Sequence, residues 1–86
     1  MILEMVSVSV NSTLLNSVAF SADESILELE FRNGACYRYF AVPAAIYEGL
    51  LAADSKGTYF NREIRTCFRY ALIRRPDEPR SQSRSA

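Results

Sequence analysis

Residues 26–40, Ile-Leu-Glu-Leu-Glu-Phe-Arg-Asn-Gly-Ala-Cys-Tyr-Arg-Tyr-Phe, constrain the fold more tightly than any other stretch of the chain. Leu27, Leu29 and Phe31 alternate with Glu28, Glu30 and Arg32, the period of a strand with one apolar and one polar face. Asn33-Gly34 then turns the chain into a second short run containing Tyr37-Arg38-Tyr39. Two such runs joined by a glycine-containing turn read as an antiparallel hairpin. Upstream, residues 15–21 carry Leu15, Val18 and Phe20 and end in the turn chemistry of residues 22–25. Three strands in series therefore form a meander, and alternating residues 5–10 add a short fourth strand or an extended arm.

Loop length sets which side of the sheet the two tyrosines occupy. A two-residue Asn33-Gly34 loop places Arg32 opposite Ala35, turns Tyr37 and Tyr39 to the open face and buries Arg38. A three-residue loop, Arg32-Asn33-Gly34 with Gly34 in the left-handed conformation, pairs Leu29 with Tyr37 and Leu27 with Tyr39. Both loops are common. Burying an unpaired guanidinium costs several kcal/mol, whereas a buried tyrosine needs only an acceptor or water at the rim for its hydroxyl. The three-residue loop is therefore expected, with both tyrosines in the core. It leaves Glu28, Glu30, Arg32 and Arg38 on the open face and sends Phe40 toward it.

Pro43 suits the first turn of a helix, and Ile46, Leu50, Leu51 and Ala53 fall along one stripe of residues 43–53. Asp54-Ser55 supplies cap chemistry for a second helix, expected over residues 56–71. There Phe60, Ile64, Cys67, Phe68 and Ala71 recur at helical spacing, with Arg62, Arg65 and Arg69 on a solvent stripe. The expected fold is α+β: a three-stranded antiparallel meander, or four strands with the N-terminal piece, under two C-terminal helices packed on one face. Residues 1–11 read as an arm or short strand, 12–72 as the domain, and 73–86 as a disordered tail too polar to repay the entropy of ordering.

An 86-residue chain is one small domain, burying roughly 60–65% of its unfolded surface. It has no histidine and only Cys36 and Cys67, so a tetrahedral Cys/His zinc site cannot be assembled within it. With no histidine base, no activating partner for either thiol and only three glycines, the expectation is a non-catalytic protein without cofactor or metal. The N-terminus lacks a basic leader, and no run approaches the ~20 apolar residues of a membrane span. A soluble, cytoplasmic protein is expected.

The formal net charge is zero, yet residues 1–54 hold two basic against seven acidic side chains and residues 55–86 hold eight against three. That asymmetry points to a basic surface. Arg62, Arg65 and Arg69, with Arg74 and Arg75 beyond, suit phosphate oxygens; an ordinary solvated helix face is the plainer account. Ser55-Lys56-Gly57 opens the second helix and offers N–H groups and a lysine to a phosphate, although Ser55 or Asp54 also serves simply as its cap. Tyr47, Tyr59 and Tyr70 offer stacking faces or close the edges of the core.

Three stretches, Ser12 to Phe20, Leu27 to Pro43 and Ala53 to Arg65, resemble the KTSC domain. That family is named for its place at the C-terminus of some lysyl-tRNA synthetases and also occurs as short stand-alone bacterial proteins. The resemblance spans about residues 12–70, and its most specific positions are Tyr37, Tyr39, Pro43, Ser55, Gly57, Phe60 and Asn61, read as core and structural residues. The chain departs from the family pattern at Ala19, often glycine, and at Phe20-Ser21, often Tyr-Asp. The resemblance implies an RNA-binding or accessory module, with no role in aminoacylation carried over. The expected partner is RNA of transfer-RNA type, bound weakly through Lys56 and the arginines of the second helix and following segment. The alternative is a protein-interaction module using the open face with Phe40, or an edge strand, as a monomer or weak homodimer.

Overall fold

In the computed structural model, which describes residues 5–76, the hairpin takes the longer loop. The Phe31 N–H donates to the Ala35 carbonyl at 2.8 Å, Gly34 has φ of 95°, and the Asn33 side chain accepts from the Ala35 N–H at 2.9 Å. Leu29 then lies opposite Tyr37 and Leu27 opposite Tyr39. Strands β1 (Val6–Ser9), β2 (Leu15–Ser21), β3 (Ile26–Phe31) and β4 (Cys36–Tyr39) run in order, followed by helices α1 (Ala44–Ala52) and α2 (Lys56–Glu63) and a last strand β5 (Tyr70–Arg74). All five strands form one antiparallel sheet in the order β1-β2-β3-β4-β5.

The α+β architecture, the meander and the two helices agree with the sequence reading; the strand count and the length of α2 do not. Helix α2 ends at Glu63, and the Phe60 carbonyl accepts from both the Ile64 and Arg65 N–H groups as the helix unwinds. Residues 70–74 form a strand instead of continuing the helix. β4 would otherwise present an unpaired row of N–H and C=O groups, and Tyr-Ala-Leu-Ile suits a pleated surface. The helical spacing held only for Phe60 and Ile64, both buried, and in part for Phe68; Cys67 is exposed and Ala71 lies on the sheet opposite Arg38.

The helices cover the face that carries Val18, Leu27, Leu29, Tyr37 and Tyr39. Leu15, Val18, Leu27, Leu29, Val42, Leu50 and Ile64 are the side chains most completely removed from water, each contributing roughly 1.5–3 kcal/mol. Phe20 of β2 stacks on Tyr47 of α1 with ring centroids 4.9 Å apart. Tyr59 of α2 crosses α1 and donates to the Ile46 carbonyl at 3.1 Å. A Cβ at Gly49 would stand 2.8 Å from the Cζ of that phenol, so glycine is what lets the two helices meet. Pro43 is the N-cap of α1 and lies just before the first turn.

β1 agrees with the short N-terminal strand of the sequence reading, yet Val6 and Val8, paired with Phe20 and Val18, remain exposed on this edge strand. β5 carries the sheet to Arg74, two residues past the domain boundary drawn at 72. Residues 1–4 of the expected arm and 77–86 of the expected tail lie outside the described residues. No helix among the described residues is long and apolar enough to cross a membrane.

Candidate functional site

The open face is polar and internally paired. Arg38 donates to Glu28 at 2.8 Å, and Arg74 donates to Glu30 at 2.8 Å and to the Gly34 carbonyl at 3.0 Å. A bulge makes the second pair: Tyr37 faces Leu72 while Cys36 faces Arg74, so Ile73 is the extra residue that turns Arg74 toward Glu30. The Arg32 guanidinium donates to the Ser12 carbonyl. With its cations held this way the face offers no row of aromatic rings. Arg74, expected among the phosphate-binding residues, is an ion-pair partner within the sheet.

Cys36 lies on this face beneath the charged side chains, its thiol 3.4 Å from a Glu28 oxygen. Burial first, and the Glu28 carboxylate second, push it up to about 11, so little thiolate forms near neutral pH. Cys67 is exposed. A maleimide at pH 7.5 is therefore expected to modify one thiol per folded chain quickly, Cys67, and to reach Cys36 only in denaturant. Equal rates for both thiols would contradict the burial of Cys36.

The Ser55-Lys56-Gly57 motif joins the helices. Ser55 Oγ accepts from the Thr58 N–H at 3.2 Å and caps α2. Lys56 Nζ reaches back to the Leu51 and Ala53 carbonyls, each at 3.0 Å, where it complements the C-terminal end of α1. Gly57 lies over Leu14. The lysine expected to meet a phosphate thus has a local structural partner. Asn61 is exposed on α2.

The remaining arginines do not form a helical stripe. Arg62 lies in the last turn of α2, paired with Glu63 at 2.9 Å and placed over the Tyr59 ring at 5.9 Å. Arg65 and Arg69 occupy the turn between α2 and β5; both are exposed, and neither forms an ion pair among the described residues. Arg75 follows β5 and is exposed.

That same turn walls a hollow of about 500 Å³ on the helix side of β4 and β5, with Arg65, Thr66 and Phe68 on one flank. Its floor is a closed circuit of five rings. Phe31 meets Tyr37 (5.7 Å), Tyr37 meets Tyr70 (5.6 Å), Tyr70 meets Tyr39 (5.7 Å), Tyr39 meets Phe60 (5.9 Å), and Phe60 returns to Phe31 (5.3 Å). Edge and tilted contacts of this kind add about 0.5–1.5 kcal/mol each beyond area burial. Tyr39 is 4% exposed and Tyr70 58%, so one phenol forms the base of the hollow and the other its open wall. No group among the described residues hydrogen-bonds the Tyr39 hydroxyl. Burial pushes that phenol up to about 12, with the adjacent Tyr37 and Tyr70 phenols adding to the shift and Arg65 opposing it.

Tyr39 and Phe60 are in the core as the sequence pattern predicts, and Tyr37 packs half-buried against it. The sequence pattern does not join them with Phe31, Phe68 and Tyr70 into one surface. The signal was present in Tyr70-Ala71-Leu72, whose alternation is that of a strand pairing with β4.

The KTSC domain profile matches residues 11–70. An uncharacterized protein of Stutzerimonas stutzeri is 45% identical over 58 residues, 67% of this chain and 82% of that one. A lysine–tRNA ligase of a Nostoc species is 36% identical over 61 residues, 71% of this chain and only 11% of the ligase. Among solved structures, a KTSC domain protein from Yersinia pestis superposes with a TM-score of 0.79 at 30% identity, covering 81% of this chain and 99% of that one.

Proposed function

This chain belongs to the KTSC domain family, and from that premise we propose that it is a non-catalytic module that binds RNA weakly through the arginines of the α2–β5 turn. The observation that carries the reading is an exposed guanidinium, Arg65, on the flank of a hollow lined by aromatic rings, with Arg69 exposed nearby on the same turn and neither arginine ion-paired among the described residues. Cations beside ring faces are the combination that single-stranded nucleic acid requires. Arg62, in the last turn of α2, and Arg75, past the far end of β5, are exposed cations that add to the charge a bound strand would meet. The relation to a segment of lysine–tRNA ligases supports RNA of transfer-RNA type as the partner, on analogy of context. Lys56 and Arg74 contribute to the fold, through the α1 carbonyls and Glu30, in preference to the ligand.

The test is a titration of labelled transfer RNA at 25 mM and 150 mM salt. With three or four arginines meeting phosphates, the logarithm of affinity should fall with the logarithm of salt at a slope of about −2 to −4. No binding at the lower salt would end the RNA reading.

A second reading, a protein-interaction module, draws on β1. Val6 is 77% exposed on an edge strand whose outer N–H and C=O groups face no other strand among those described. A mass by light scattering that rises with concentration would favour it.

A further inference from the structure

We infer that the aromatic hollow between the α2–β5 turn and strands β4 and β5 holds one unstacked nucleobase, while Arg65 on its flank holds an adjoining phosphate. This rests on the RNA reading above and assigns the base-binding part of it.

Shape and chemistry both restrict the occupant. About 500 Å³ falls within the ~300–1,000 Å³ of small-ligand pockets, enough for one flat heterocycle and too little for a folded element of a partner. Tyr70 lines the hollow and is more than half exposed, so a ring can be stacked from solvent, and half-buried Phe68 lines it from the turn. The floor rings contact one another at 5.3–5.9 Å around the circuit, which is too close for a base to slide between them. The base must therefore lie against the outer wall with its edge directed inward.

That edge would meet polar groups. Tyr39, 4% exposed, lines the hollow, and its hydroxyl has no hydrogen-bond partner among the described residues. A buried hydroxyl left without a partner is costly, and the mixed donors and acceptors of a base edge satisfy it whichever way its proton points. An apolar peptide side chain would leave it unsatisfied and would also strip water from Arg65. Stacking against a phenol is tolerant of base identity, so a preference among bases should be slight.

The experiment compares an eight-nucleotide adenosine RNA with a sugar-phosphate strand of equal length and charge that carries no bases, at 25 mM salt. The base-bearing strand should bind roughly tenfold more tightly. Tyr70→Ala, a change at an exposed ring, should reduce its affinity to about that of the baseless strand. Tyr39→Phe should weaken it severalfold, and adding the RNA to the unmodified chain should shift the ring carbon and proton resonances of Tyr37, Tyr39 and Tyr70. Equal affinity for the two strands with still ring resonances would overturn the base site and leave the arginine reading standing. Binding of neither strand would remove both. A free chain that sediments as a dimer, and as a monomer after Tyr70→Ala, would overturn it by giving the hollow to a second copy.

Discussion

Leu29→Ala should lower the unfolding free energy by about 2–5 kcal/mol, the range for truncating a leucine in a core that cannot collapse around the gap. Leu29 lies on β3, the middle strand of five, flanked by Val18 on β2 and Tyr37 on β4 and roofed by the helices. It is fully buried, and its strand is held by hydrogen bonds on both sides, so neither neighbour can move inward without breaking register. A domain this small lies near the low end of the ~5–15 kcal/mol of native proteins, so the variant should be substantially unfolded at 37 °C. Urea denaturation followed by circular dichroism measures the effect as a lower midpoint at unchanged slope. Leu51→Ala is the control: on the exposed side of α1, it should change stability by about 0.5 kcal/mol or less. A loss below about 1 kcal/mol for Leu29→Ala would contradict the placement of the core.

The second large effect is on binding. Reversing both free guanidiniums, Arg65→Glu with Arg69→Glu, changes the local charge by four units where no carboxylate now stands against them. Affinity for transfer RNA at low salt should fall at least about a hundredfold, since phosphate contacts supply most of such binding. The melting midpoint should move little, because both side chains are exposed and neither belongs to an ion pair among the described residues. Reversal of Lys56 should act differently, loosening the α1–α2 junction whose carbonyls it contacts. Unchanged affinity in the double variant would clear the α2–β5 turn of the role given to it.

What could be read in advance follows the range of the interactions involved. The parity of the hairpin was legible because a single local conflict, Arg38 against two tyrosines, decides it. The structure resolves that conflict by pairing Arg38 with Glu28 outside and burying Tyr39 inside. β5 was not legible from residues 64–73 alone. Phe60, Ile64 and Phe68 satisfy a helical period, and only the need of β4 for a second neighbour, a contact between distant parts of the chain, turns Tyr70–Arg74 into a strand. The candidate site inherits that uncertainty. Arg65 and Arg69 are legible as exposed cations, but on a helix face; on the turn only Arg65 shares a hollow with Tyr37, Tyr39 and Tyr70. Arg74 changed role for the same reason, since a bulge at Ile73 points it at Glu30.

RNA should meet the sheet on its helix side, at the α2–β5 turn. Amide and ring chemical shifts of the isotope-labelled chain, recorded while transfer RNA is added at low salt, locate the contact directly. The predicted pattern is a cluster of shifts from Arg62 to Leu72, joined by the rings of Tyr37 and Tyr39, with Glu28, Glu30 and Arg38 still. Shifts gathered instead on the open face around Ser17, Glu28 and Arg38, or along β1, with the α2–β5 turn unmoved, would contradict it.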